Sequence, residues 1–485
     1  MPQNMQNACP FGQFGVRLRQ TAEDGVTGKS VLDVAVIGAG IVGCAIARRL
    51  AVDGARVVVL ERGYDVLDGA SKGNSAILHT GFDAPPDSLE LDCIRAGHAE
   101  YLQIHRRLNL PVDHCGALVL AWDEAQAAAL PALMDQAAGN GVTDIQPLDR
   151  AALLKAEPHL APHVRAGVRV PGEALIDPWS TGHAYLYQAI LHGAELRCRA
   201  EVTRAQRLSD HWRLQTTSGE VQAALVVNAA GLWGDHVQRL LTGESWFRIT
   251  PRKGQFIIFD KPAAALTRHI LLPVPTAVTK GVVICRTVFG NLLVGPTAED
   301  QSDRDAALLV PQTLAALRET GIRLLPALSG HEVTAAYAGL RPATEEKGYR
   351  IRADLAAGLV TVGGIRSTGL SAALGIASHV ARLIDGPEIR QPAHWPQLPM
   401  LAERGQRDWR EAGNQGIVCH CELVSRREVK AAMEAPAPAN SLAGLKRRTR
   451  VTMGRCQGFY CSAELARMTN GRLAQPFNGR PGDAG

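Results

Sequence analysis

Four cysteines near the C-terminal end carry chemistry that can be read from spacing alone. Cys419 and Cys421 form a C-x-C pair, and after 34 intervening residues Cys456 and Cys461 form C-x4-C. Four soft thiolates in that pattern suit a 2Fe–2S cluster or a single zinc ion. Structural zinc sites usually keep at least two residues between paired cysteines, so the C-x-C pair favours the cluster over zinc. The remaining cysteines are scattered singly, and residues 1–30 hold no apolar block like a signal-peptide core. The cluster of four therefore reads as a metal site in a reducing compartment, not as a disulfide framework.

At the other end, Gly38, Gly40 and Gly43 spell G-x-G-x-x-G, and Glu61 follows 18 residues after the last glycine. The first glycine makes a tight turn, the second admits a pyrophosphate to the backbone, and the third allows close helix packing. The acid would accept ribose hydroxyls.

Positioning these groups requires particular elements. VLDVAVIGAG is a buried-strand run, IVGCAIARRLAVDG has helical spacing, and ARVVVLER is a second strand. The unit is β-α-β, and its continuous apolar strands suit a parallel sheet covered on both faces. Similar strand-then-helix units occur at AALVVNAAGLWGDHVQRLL and GLVTVGGIRSTGLSAALGIASHVARLI. Between them, residues 85–165 read as mainly helical, while FRITPRKGQFIIFD and GVVICRTVFGNLLVGPT read as antiparallel strands. That order predicts a discontinuous cofactor domain over 31–390 with substrate-domain insertions at about 85–165 and 245–335. A flexible tail precedes it over 1–30. A linker over 391–415, a cysteine domain over 416–470 and a tail over 471–485 follow.

The chain of 485 residues exceeds one ordinary core, so several domains are expected. A net charge of +5 is too small for so long a chain to argue for nucleic acid. No apolar run reaches transmembrane length. Lys446, Arg447, Arg448 and Arg450 form a basic run before the second cysteine pair. It reads as a solvated face, or as a surface that offsets cluster charge or docks an acidic electron acceptor.

Three separated segments resemble the FAD-dependent D-amino-acid-oxidase-like oxidoreductases: Gly38 through Glu61, Asn228-Ala229-Ala230-Gly231-Leu232-Trp233, and Gly363-Gly364-Ile365-Arg366-Ser367-Thr368-Gly369-Leu370. The resemblance spans about residues 31–390. It implies FAD held by Gly38, Gly40, Gly43, Glu61, Ala230, Gly231, Gly364, Arg366, Ser367, Thr368, Gly369 and Leu370. GASKGNSAILHTGFD resembles the flavin-facing loop of the glycerol-3-phosphate and 2-hydroxyglutarate dehydrogenases. There an Asn-Ser pair, here Asn74 and Ser75, precedes a histidine, here His79. Relatives usually place glycine after the pair, where this chain has Ala76, which leaves the local backbone conformation open. Histidine suits the role of base in alcohol oxidation near neutral pH. AYAGLRPAT supplies Arg341, which the resemblance implies as an anchor for a substrate phosphate or carboxylate, and ITPRKGQ supplies Arg252 and Lys253 as further substrate contacts.

The cysteine segment, with Gly454-Arg455-Cys456-Gln457-Gly458, resembles the bacterioferritin-associated-ferredoxin-like domain fused to glycerol-3-phosphate dehydrogenase-like flavoproteins. The fold class expected is therefore α/β: a Rossmann-like FAD-binding domain, an inserted mixed α+β substrate domain, and a small C-terminal 2Fe–2S domain. The resemblance implies oxidation of a secondary alcohol beside an anionic group, with glycerol 3-phosphate first. A 2-hydroxy acid and an amine or imino acid stay open as alternatives, and a zinc-containing interaction module stands as the non-enzyme reading. Electrons would pass to an acceptor protein or a quinone-linked subunit. The chain would be cytoplasmic, with peripheral association at the inner face of the membrane left open.

Overall fold

A computed structural model describes residues 31–275, 281–384 and 390–475. The tail expected over 1–30 and most of that over 471–485 lie outside the described residues. β1 (Leu32–Ile37), α1 (Ile41–Val52) and β2 (Val57–Leu60) form the expected unit, with β1 and β2 parallel from Val34 opposite Val57 to Ile37 opposite Leu60. On its other edge β1 pairs in parallel with Gly219–Asn228, which pairs in parallel with Leu359–Gly363. All three strand-then-helix units thus enter one sheet, eight strands wide among the described residues. Val34 and Val36 join a core with α1, α2 (Leu89–Ile104) and the helices Pro178–Leu191 and Gly369–Leu383. Ala35 and Ile37 join a separate core on the opposite face. Burial on both faces is why β1 reads as continuous rather than alternating.

A second sheet is built on Ile249–Phe259 and Val333–Thr344, antiparallel from Ile249 opposite Thr344 to Phe259 opposite Val333. Val283–Arg286 and Leu292–Gly295 extend it as an antiparallel pair. The region 85–165 is mainly helical, as expected, with Leu89–Ile104, Glu124–Gly139 and Arg150–Ala156 as its helices. Beside its helices it holds Val112–Asp113, Ala117–Ala121 and Gln146–Asp149, the last two as strands of this second sheet. A five-residue apolar run such as ALVLA fits a strand or a helix equally by pattern. Pairing with Ala166–Val170 and Ile270–Pro273 decides it.

The segment expected as a linker is a strap from Arg390 onward. Arg107 lies 3.7 Å from the Trp395 ring centre, Asn109 donates to the Leu398 carbonyl, and Leu398 and Leu401 are buried. Its Pro-rich composition concealed these apolar anchors. Beyond it, a short hairpin (Ile417–Cys419 with Val424–Ser425) and helices Arg426–Glu434, Leu442–Thr449 and Ser462–Thr469 surround a core of their own around Val429, Leu445 and Leu465. Among the described residues, no helix is long and apolar enough to cross a membrane.

The basic run is neither a solvated face nor a docking surface for an acceptor. Arg448 is buried against Asp65 at 2.8 Å, Arg447 pairs with Asp68 at 2.7 Å, and Arg450 pairs with Glu422 at 2.8 Å. Gly444 lets the helix approach, since a Cβ there would lie 1.7 Å from Asp65 Oδ2. The contacts with Asp65 and Asp68 fasten the cysteine domain to the chain just after β2, while the Arg450–Glu422 pair is internal to the domain. Asp65→Asn leaves Arg448 charged, buried and unpaired, at a cost of about 3–5 kcal/mol. The urea midpoint for loss of visible cluster absorbance should fall accordingly; an unchanged midpoint would show that Asp65 does not hold the domain.

Candidate functional site

A cavity of about 1310 Å³ is bounded by the fingerprint glycines, the 69–75 loop, both long strands of the second sheet and the segment before Gly369–Leu383. Its nucleotide end fits an extended dinucleotide. A Cβ on Gly43 would sit 1.9 Å from the Gly38 carbonyl oxygen, so the third glycine is fixed by the turn beneath it. The N-cap Gly40 offers no side-chain acceptor, which leaves donors at the start of α1 for an anion. Glu61 closes this end, its carboxylate accepting from Ala39 N at 3.0 Å and Gly63 N at 2.8 Å; burial pushes it above the usual carboxylate range. Ala230 and Gly231 line the cavity, backed by Asn228. Trp233, between Arg62 and Arg304, carries a buried indole N–H with no partner among the described residues, a donor suited to a bound cofactor.

The 69–75 loop is pinned to the second sheet. Gly73 meets Gly339 so closely that a Cβ on Gly339 would lie 2.5 Å from the Gly73 carbonyl oxygen, and Tyr337 donates to the Asn74 carbonyl at 2.6 Å. Asn74 and Ser75 line the cavity. Ala76 takes the left-handed conformation, φ +61°, that suits the relatives' glycine. Asn74 holds it there, accepting from Ala76 N at 2.8 Å.

His79 lines the cavity with its Nδ1 2.8 Å from Glu173 Oε2. Glu173 is fully buried, and its other oxygen accepts from Thr80 N at 2.7 Å and Thr80 Oγ1 at 2.9 Å. The carboxylate fixes the ring with Nδ1–H donating, which leaves Nε2 as the free acceptor. Ser371 accepts from His79 N at 2.8 Å and so ties this segment to the helix Gly369–Leu383. Sequence reasoning missed Glu173. It lies 94 residues from His79 in a short stretch with no motif of its own.

Arg252 and Arg341 are directly opposed across the two long strands, and both line the cavity with Arg366. Gly254 makes room for Arg341, because a Cβ there would lie 2.5 Å from its Nη2. The Arg341 guanidinium touches the Thr297 carbonyl at 3.3 Å, and burial, then Arg252 and Arg366, lower it to about 10. Arg252 has a carboxylate 3.7 Å away in Asp300. Three like charges gathered at one wall of a cavity call for an anion.

Lys253 does not belong to this group. Its ammonium is held by Glu299 at 3.2 Å and the Leu308 carbonyl at 3.1 Å, because successive residues of a strand face opposite ways. Gly364, Ser367, Gly369 and Leu370 line the cavity. Thr368 is turned away, hydrogen-bonded to Glu90 and Tyr349 at 2.7 Å each, at the N-terminus of its helix.

In the cysteine domain the thiols form two pairs, Cys421 beside Cys456 and Cys419 beside Cys461. Backbone N–H groups of Tyr460, Gly458 and Phe459 point at Cys456 and hold its thiol below the usual range. The Thr452 N–H serves Cys461, which burial pushes up to about 11. Two thiol pairs ringed by amide donors suit a two-iron cluster, whose sulfurs accept such bonds. Gly454 permits the fit, since a Cβ there would lie 2.3 Å from Cys421 Cβ. A packed bridge joins this domain to the cavity: Trp179 donates to the Lys72 carbonyl and stacks on Phe289, over which Arg450 lies at 3.9 Å.

Comparison with known proteins agrees with this geometry. Residues 33–383 match the family model for FAD dependent oxidoreductase, and residues 417–469 match that for the BFD-like 2Fe-2S binding domain. The chain is 31% identical over 448 residues to glycerol 3-phosphate dehydrogenase of Caloramator mitchellensis, covering 90% of this chain and 93% of that one. It is 26% identical to one of the subunits of anaerobic glycerol-3-phosphate dehydrogenase from Escherichia coli K12, covering 92% and 88%. Among solved structures it resembles dithionite-reduced L-alpha-glycerophosphate oxidase from Mycoplasma pneumoniae with FAD bound. The TM-score is 0.71 at 26% identity, over 77% of this chain and 100% of that one.

Proposed function

The chain belongs to the FAD-dependent oxidoreductase family and carries a BFD-like 2Fe–2S binding domain, and from that premise we propose that it oxidises glycerol 3-phosphate to dihydroxyacetone phosphate. The gathering of Arg252, Arg341 and Arg366 carries the substrate assignment. A phosphate dianion offers three guanidiniums more charge and more acceptor positions than a single carboxylate does.

In this reading Arg341 anchors the phosphate, with Arg252 and Arg366 sharing its charge. His79 accepts the hydroxyl proton at Nε2 while Glu173 holds the opposite ring nitrogen. The fingerprint glycines, Glu61, Trp233 and the 363–370 segment hold FAD; Cys419, Cys421, Cys456 and Cys461 hold the cluster. When bound, FAD supplies the hydride acceptor and the cluster a one-electron outlet. The bridge through Trp179, Phe289 and Arg450 keeps the cysteine domain in register with the loop that carries Asn74 and Ser75. Electrons leave to a partner protein or a quinone-linked subunit, and the chain works in the cytoplasm.

The test is dye-coupled turnover on glycerol 3-phosphate, L-2-hydroxyglutarate and sarcosine. A site built around a phosphate should prefer the first by about 100-fold or more in kcat/KM. A preference for the hydroxy acid or the amine would overturn the substrate and leave the family unaffected.

A further inference from the structure

We propose that Phe459 and Tyr460 form the docking point for a separate, acidic one-electron carrier protein. The inference rests on the reading that electrons leave through the cysteine domain. Phe459 is 82% exposed and Tyr460 72% exposed, the two rings meeting edge to face at 5.2 Å. Large apolar side chains so exposed mark interaction sites when they stand together. These two stand within the loop between Cys456 and Cys461. Their backbone N–H groups face the Cys456 sulfur while their rings face solvent. A protein seated on the rings is therefore one loop's thickness from the cluster.

The loop is already ordered. Gln457 N donates to the Gly454 carbonyl at 2.9 Å, Phe459 N to the Cys456 carbonyl at 3.0 Å, and the Gln457 side chain reaches the Thr334 carbonyl at 3.3 Å. Little conformational freedom is lost when a partner seats.

Charge selects the kind of partner. Arg455 and Arg467 are 67% and 77% exposed beside the loop and along the helix that starts at it. With Arg426 they outnumber the carboxylates they pair with, Asp260 and Glu464. The rim favours an acidic protein, and the small apolar centre suits the transient encounters typical of electron carriers rather than a permanent assembly. Oxidation of one alcohol yields two electrons and two protons. Two carrier molecules each accept one electron, and the protons leave through His79 and solvent.

The experiment measures binding without turnover, so its outcome does not depend on which alcohol is oxidised. Oxidised holoprotein is titrated calorimetrically at low ionic strength with oxidised cytochrome b5, an acidic haem protein, and with basic cytochrome c. Cytochrome b5 should bind, should weaken as salt rises, and should lose about tenfold or more in affinity when Phe459→Ser and Tyr460→Ser are combined. Leu308→Ser, an exposed apolar change elsewhere, should leave it unchanged. Should the double variant lose iron, Arg455→Glu with Arg467→Glu serves instead and should shift preference toward cytochrome c. Unchanged affinity in these variants, or tighter binding of cytochrome c to the wild type, overturns the proposal. So does dimerisation or binding to anionic phospholipid vesicles that the double variant abolishes while cytochrome b5 binding persists.

Discussion

Arg341→Ala should lower kcat/KM for glycerol 3-phosphate by about 10²–10³-fold. Removing one partner of a buried, charge-assisted contact costs on the order of 3–4 kcal/mol, and each 1.4 kcal/mol is tenfold. Arg252 and Arg366 remain in the variant, so the fall should stop short of complete loss. Arg341→Lys keeps the charge without the planar fork and should recover only part of the rate. Steady-state kinetics with inorganic phosphate as competitor separates anchoring from chemistry, because phosphate inhibition should weaken in parallel with KM.

A pH dependence follows from the same cluster. With Arg341 lowered to about 10, first by burial and then by its two neighbours, the charged side chain costs stability in the unliganded protein at every pH below that value. Above about pH 10 the unfolded chain holds this proton while the folded chain releases it, so the cost is relieved as pH rises. Phosphate, which binds the charged form better, should raise the melting temperature through neutral pH and lose part of that effect above about pH 10, Arg252 and Arg366 keeping the rest. A phosphate effect equal in wild type and Arg341→Ala would count against the anchor.

His79→Ala should lower kcat by about 10²–10⁴-fold with a much smaller change in KM, as expected when a general base is lost. Glu173→Gln tests how the base is held. The buried carboxylate accepts from His79 Nδ1, Thr80 N and Thr80 Oγ1. An amide must turn its NH2 toward one of these donors or release the ring into the wrong tautomer. A fall of about 10–100-fold in kcat is expected, with a much smaller change in KM. A merely structural Glu173 would not produce that split between kcat and KM, and Glu173→Asp should restore kcat in part if the role is positioning.

The parts of this architecture that were legible in the sequence are those whose physics is local. Gly38, Gly40, Gly43 and Glu61 lie within one β-α-β unit, and the cysteine pairs have spacings that only a few ligand sets allow. What escaped depends on residues far apart in the chain. Glu173 reaches His79 only through sheet pairing, since Ala174 and Leu175 lie opposite Leu78 and Ile77. The basic run read equally as a solvated face or as a surface toward the cluster or an acceptor, because Asp65, 383 residues from Arg448, cannot be paired with it by spacing. Lys253 was a different matter. Strand alternation already separates it from Arg252, and a lysine and an arginine adjacent on one strand cannot both face one cavity.

The most direct test of the central claim is anaerobic absorbance spectroscopy of the purified protein during addition of glycerol 3-phosphate. Flavin absorbance should bleach first and the cluster absorbance should follow, with no external acceptor present. Flavin that stays oxidised with glycerol 3-phosphate, yet bleaches with a 2-hydroxy acid or an amino acid, would contradict the substrate. Flavin that bleaches while an intact cluster does not respond would contradict the internal path to the cysteine domain.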